Sequence, residues 1–128
     1  MPRTAPDSHY SGPAPGGPYS PGARIGRMVA ISGQCGYHLD RTLAEGLEAQ
    51  IHLAFENLER ALDTYGANLD DVLSVDVYIA SEEHFKPMNN VYSQYFTEPR
   101  PARTTVTAGL RPGVLFEISA LAVVDESR

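Results

Sequence analysis

Apolar residues recur at helical spacing in two stretches of the chain and alternate at strand spacing in several others. Leu47, Ile51, Ala54, Phe55, Leu58, Leu62 and Tyr65 share one face of a 3.6-residue repeat. Glu48, Glu56, Glu59, Arg60 and Asp63 mark the wet side. The spacing predicts a long amphipathic helix running to about Tyr65. Thr42-Leu43-Ala44-Glu45 reads as its capping box, and Gly66 as the left-handed residue that ends it. A second helix is predicted roughly over Glu83–Phe96, capped by Ser81. Phe85, Met88, Tyr92 and Tyr95 form its apolar stripe, and Pro87 falls in the first turn, where a missing N–H costs little.

The strands follow from period-two alternation. Residues 23–32 read as one strand or two short ones, with Gly26-Arg27 as a candidate tight turn and Met28–Ile31 as a short apolar run. Asp70-Asp71 reads as a turn, after which Leu73, Val75, Val77 and Ile79 alternate with Ser74, Asp76 and Tyr78. "ARTTVTAGL", "RPG" and "VLFEISALAVV" read as strand, turn and strand, a β-hairpin. The order gives an α+β fold with two helices packed on one face of a mixed sheet. In the last strand both alternating sets are largely apolar: Leu115, Glu117, Ser119, Leu121 and Val123 on one side, Phe116, Ile118, Ala120, Ala122 and Val124 on the other. Two helices cover only one side of a sheet, so the other side calls for a further copy of the chain, a homo-oligomer.

Composition narrows the function. The 128 residues suit one domain. The net charge is −6, nine of the ten basic residues are arginine, and no basic run occurs, which argues against a nucleic-acid partner. No apolar stretch is long enough to span a bilayer, so no membrane partner is expected. Residues 1–18 are rich in Pro, Gly and Ser and carry no apolar signal region; they are expected to form a flexible leader, followed by a single domain over 19–128. A lone cysteine, Cys35, excludes an intrachain disulfide and fits a reducing compartment, so a cytoplasmic location is expected. His9, His38, His52 and His84 show no metal-ligand spacing, and there is no phosphate loop.

One residue type stands out against this acidic background. In "PRPART", residues 99–104, Arg103 precedes an apolar-alternating run and is therefore committed to one face of a sheet. A guanidinium there needs an anionic partner, either a carboxylate of the protein or that of a ligand.

The assembled segments resemble the Rid family, the reactive intermediate deaminases, also called YjgF-like proteins. The resemblance is carried by "GPYSPG" (17–22), "ISGQ" (31–34), "EAQIHLAFENLERAL" (48–62), "NLDDVLSVDVYI" (68–79), "FKPMNNVYSQYF" (85–96), "PART" (101–104) and "FEISALAV" (116–123). No single motif is strong; their common order and spacing over residues 17–124 is specific. It implies a chorismate-mutase-like fold, a homotrimer with ligand clefts between subunits, and no metal or organic cofactor. The implied activity is hydrolysis of enamines and imines such as 2-aminoacrylate to 2-keto acids and ammonia. Arg103 stands at the family's carboxylate-binding arginine, with a structural ion pair as the alternative. Glu117 matches the acidic residue of the last strand, which would hold and activate water. Tyr19 and Asn89 match cleft-lining positions, and Ser32, Gly33 and Phe85 fall beside them. Thr105 stands where many members carry cysteine, and the Arg103–Glu117 interval is one residue shorter than usual. Two other readings stay open: a non-catalytic trimer that binds a small acid, and a specialised enzyme acting on a larger enamine or imine.

Overall fold

The computed structural model describes residues 2–4 and 10–127; of the expected leader, residues 1 and 5–9 lie outside the described residues. Among the described residues, five strands and two α-helices build the domain: β1 (Gly22–Ile25), β2 (Met28–Cys35), α1 (Leu47–Thr64), β3 (Val72–Ile79), α2 (Phe85–Tyr92), β4 (Ala102–Thr107) and β5 (Phe116–Val123). The sheet order is β1-β2-β5-β3-β4, with β3 and β4 parallel and the other pairs antiparallel. Gly26 is left-handed at φ 58°, as the tight turn between β1 and β2 requires.

Both helices pack on one face of this mixed sheet. Ile51, Ala54, Phe55, Leu58, Leu62 and Tyr65 are buried against Val29, Ile31, Val75, Val77, Phe116 and Ile118. Phe55 ties the two helices together: it stacks on Tyr95 at 4.1 Å and meets the edges of Tyr92 and Phe96. Gly66, at φ 80°, follows the last turn of α1 as expected. The other face of the sheet carries Leu121 and Val123, half-buried, beside exposed Ile25, Met28 and Val106.

Three expectations need correction. First, β4 and β5 do not form a hairpin. β4 lies at the sheet edge on β3, and β5 sits between β2 and β3. A Thr-rich strand preceded by Pro101 tolerates an edge, whereas a strand apolar on both faces gains most at the centre. Second, Thr42 does not cap α1. Its hydroxyl and backbone N–H both donate to the Asp40 carboxylate, at 2.6 and 3.0 Å, and Gly46 at φ 88° delays the helix to Leu47. Third, the second helix is shorter: Ser81 caps a 3₁₀ turn over Glu82–His84, and α2 follows from Phe85 to Tyr92. Its Phe85 is exposed rather than part of the core stripe. Asp70-Asp71 likewise lies in a 3₁₀ turn, Leu69–Asp71, closed by a capping box from Asn68.

Candidate functional site

The anticipated site residues separate into two groups on opposite faces of the sheet. Arg103 pairs in register with Val75, and Val75 with Ala120; both partners are buried under the helices. The Arg103 side chain therefore leaves the sheet on the helix side. Glu117 lies in the alternate set of β5, paired with Tyr78, and leaves on the open face. One strand and three residues separate them, roughly 10 Å in each direction. Within one chain they do not meet.

The first group surrounds Arg103. Its guanidinium stacks over the Tyr92 ring at 4.6 Å and stands 5.8 Å from that of Phe85. Its Nη1 lies 3.9 Å from the Met88 sulfur, and among the described residues no carboxylate is within ion-pair distance. Burial raises the Tyr92 phenol above its ordinary pKa, and the Arg103 charge opposes that shift. Thr105, two residues on and on the same face, buries its hydroxyl without a hydrogen-bond partner, and so does Tyr92. Buried polar atoms are rarely left unpaired. Phe85 and Thr105 also wall a neighbouring cleft of about 560 Å³. Asn89 lies half-buried on α2.

The second group lines a cleft of about 460 Å³ containing Tyr19, Ser32, Gly33, Cys35 and Glu117. The β2–β5 register shifts between Ile31 and Gln34, a bulge that places Gly33 against the Glu117 side chain. A Cβ on Gly33 would stand 2.2 Å from Glu117 Oε2. The Cys35 thiol donates to Glu117 Oε1 at 3.3 Å. Burial, and then the adjacent carboxylate, push that thiol far above its ordinary pKa, so Cys35 is a hydrogen-bond donor and not a thiolate nucleophile. Ser32 donates to the Ser20 carbonyl at 2.6 Å, so its hydroxyl anchors the segment bearing Tyr19. The Tyr19 hydroxyl accepts from the Gly16 N–H at 3.2 Å, and its ring is largely exposed over the cleft.

Several residues here were not singled out in the sequence. Asn57, fully buried, donates to the carbonyls of Cys35 and Tyr37 at 3.0 and 2.9 Å and fixes the cleft floor. Gln50 and Asn57 both fall on the apolar stripe of α1; a polar residue there was the available signal. Tyr10, Tyr37, Arg41 and Arg111 complete the wall. Described leader residues join it: Tyr10 donates to the Pro13 carbonyl, and Arg41 to that of Ala14.

The family model described as Endoribonuclease L-PSP matches residues 10–124. The chain belongs to this family. It is the YjgF/Rid group that the sequence segments resemble. A RutC family protein of Pyrococcus abyssi is 36% identical over 115 residues, covering 86% of this chain and 89% of that one. A 2-iminobutanoate/2-iminopropanoate deaminase of Dermatophagoides farinae is 31% identical over 116 residues, covering 88% and 91%. Among solved structures, RidA from the Antarctic bacterium Psychrobacter sp. PAMC 21119 superposes with a TM-score of 0.88 at 31% identity, covering 94% and 99% of the two chains. Rid-type membership is thereby established, together with the chorismate-mutase-like fold.

Proposed function

We propose that this Rid-family chain hydrolyses 2-imino acids, and the enamines in equilibrium with them, to 2-keto acids and ammonia. The observation that carries the reading is Arg103: a half-buried guanidinium on an edge strand, stacked on an aromatic ring, with no acid of its own chain beside it among the described residues. Its planar fork suits a ligand carboxylate. The imine deaminase of Dermatophagoides farinae supports the reaction class.

Since Arg103 and Glu117 leave opposite faces, one protomer cannot use both on one small molecule. The reading therefore includes a homotrimer, in which Arg103 with Asn89, Phe85 and Thr105 faces the Glu117 cleft of the next copy. Arg103 holds the substrate carboxylate and fixes C2. Glu117 orients a water and takes its proton as the oxygen bonds to C2, while the imine nitrogen gains a proton. Protonated Glu117 then returns its proton to the carbinolamine nitrogen as the hydroxyl proton is lost to water; the C–N bond breaks with its electron pair on nitrogen, ammonia departs, and the C2 carbonyl forms. The Cys35 thiol holds Glu117 Oε1, leaving Oε2 on the Gly33 side for water. Gly33 leaves that approach open, and Tyr19 covers the cleft.

The test couples the protein to a serine or threonine dehydratase that releases 2-aminoacrylate and follows pyruvate. Wild type is expected to accelerate release, and Arg103→Ala to lose at least about a hundredfold of that acceleration. No acceleration by wild type, with 2-keto acids still binding, would leave a non-catalytic binding protein. Full acceleration by Arg103→Ala would remove the assigned role.

A further inference from the structure

Two further arginines converge on the cleft that holds Glu117, and the reaction outlined above uses neither. A Cβ placed on Gly16 would meet Arg41 Nη2 at 2.9 Å and Arg111 Nη1 at 3.4 Å, so both guanidiniums crowd one point on the cleft wall. Among the described residues neither has a carboxylate within ion-pair distance. Both charges act on the Cys35 thiol, which itself touches Glu117, so the pair lies within a small molecule's reach of the reacting centre.

Both arginines stand on fixed platforms. Arg111 opens a tight turn through Pro112 and Gly113, with Gly113 at φ 82° and the Val114 N–H donating to the Arg111 carbonyl at 2.9 Å. Gln50 clamps that turn to α1: its amide donates to Gly113 O at 3.0 Å, and its carbonyl accepts from the Leu115 N–H at 2.8 Å. Arg41 occupies a left-handed position, φ 70°, which a non-glycine residue adopts at some cost. Its guanidinium lies over the Tyr37 ring at 4.6 Å and donates to the Ala14 carbonyl. On a chain of net charge −6, two like charges held together without an acid form a local positive site.

We infer that Arg41 and Arg111 bind a second oxyanion of the substrate, so that the preferred imine carries a distal carboxylate or phosphate in addition to the carboxylate at C1. This rests on the proposed function and names its substrate class. Arg103 of one copy would hold the C1 carboxylate, Glu117 of the next would address C2, and Arg41 and Arg111 beside Glu117 would hold the far end.

Calorimetric titration with stable keto-acid products tests it. The ligands are 2-oxobutanoate, 2-oxoglutarate and 3-phosphonooxypyruvate, measured on wild type, Arg111→Gln, Arg41→Gln and Arg103→Ala. At least one doubly anionic ligand is expected to bind wild type about tenfold or more tightly than 2-oxobutanoate, since hydrogen bonds to charged groups are the strong ones. The better of the two identifies carboxylate or phosphate. That preference is expected to fall toward one in Arg111→Gln, whose exposed side chain makes folding failure no excuse, and in Arg41→Gln. Equal affinity for all three ligands in wild type, or a preference that survives Arg111→Gln, overturns the inference. If 2-oxobutanoate affinity still depends on Arg103, the underlying reading stands. Binding of 2-oxobutanoate that is indifferent to Arg103→Ala, or no binding by wild type, removes both.

Discussion

Alanine at position 33 adds one methyl group where the Glu117 carboxylate already lies. The new Cβ would stand 2.2 Å from Oε2 and 2.8 Å from the carboxyl carbon. Non-bonded contact needs about 3.5 Å, so the carboxylate must withdraw by more than about 1 Å. The obstacle is the far end of a flexible side chain, and Gly33 is not in the left-handed region, so the backbone accepts alanine. Turning Glu117 aside costs ~0.5–1.5 kcal/mol. Losing the thiol hydrogen bond adds about 1 kcal/mol. Restricting the unfolded chain returns ~0.4–1 kcal/mol. Net stability should change by no more than about 2 kcal/mol. A misplacement of about 1 Å at a reacting group is worth about a hundredfold in rate. Gly33→Ala is therefore expected to keep its fold and lose about two orders of magnitude in keto-acid release from 2-aminoacrylate. Thermal unfolding read beside the coupled assay separates the two effects. Glu117→Gln should fall as far, and the double variant no further, because both changes remove one interaction. Turnover within a few-fold of wild type in Gly33→Ala, or additive losses in the double variant, would refute the assignment of Glu117 as the water-orienting group.

Other substitutions examine different parts of the argument. Cys35 has a raised folded-state pKa, so above its ordinary value of 9.0 the unfolded chain releases the thiol proton while the folded chain keeps it, and stability falls as pH rises through that window. Urea unfolding from pH 8 to 10.5 should show a steeper decline for wild type than for Cys35→Ala; parallel curves would contradict the buried thiol. Native Cys35 should also resist alkylation at pH 8 and react once unfolded, and rapid native labelling would tell against the same picture. Gln50→Leu leaves the Ala44 and Gly113 carbonyls and the Leu115 N–H without their partner, with an expected loss of ~2–4 kcal/mol by urea denaturation; a loss below 1 kcal/mol would show that water replaces the amide. Leu121→Lys places a charge on the open sheet face beside Val123 and is expected to yield monomers by sedimentation velocity with far-UV dichroism retained; an unchanged assembly would show that the proposed trimer does not bury this face.

Much of the domain was legible because local pattern and burial coincide. The α1 stripe from Ile51 to Tyr65 faces the sheet because 3.6-residue spacing leaves it no other way to bury Phe55 and Leu58. Alternation over β3 placed Val75, Val77 and Ile79 in the core but failed at Leu73, which is exposed while Val72 is buried, because the pairing with β5 shifts between Val72 and Ser74. What local pattern does not encode is which strands become neighbours. "TTVT" and "FEISALAV" joined by "RPG" have every mark of a hairpin, yet the Pro-Gly turn at 112–113 only redirects the chain, and β5 takes the centre, where Phe116, Ile118, Ala120 and Ala122 are all buried beneath the helices. The start of α1 misled for a related reason: the Thr42 hydroxyl donates to the Asp40 carboxylate and accepts no helix N–H. Asn57 and Arg111 escaped notice because their partners are remote in sequence: the Cys35 and Tyr37 carbonyls for one, a shared cleft wall for the other.

The misplaced hairpin also changes what the site means. A hairpin would have set Arg103 and Glu117 on adjoining strands, where the question was only their register. With β3 between them and opposite faces in use, no adjustment of register within one chain brings them together. The one-residue contraction between them therefore loses its force, since that interval spans a crossover loop and not a pair of facing strands. Two features among the described residues then call for a common explanation: an arginine without an acid partner at the sheet edge, and a largely apolar sheet face without a covering layer. The proposed homotrimer would answer both: a second copy docked on the open face would bury Leu121 and Val123 and set a new edge strand beside the Glu117 cleft. On that view activity is a property of the assembly: dilution or substitution that separates the copies should abolish turnover at the same concentration at which it abolishes the oligomer, while each separated chain keeps its helices packed on its sheet.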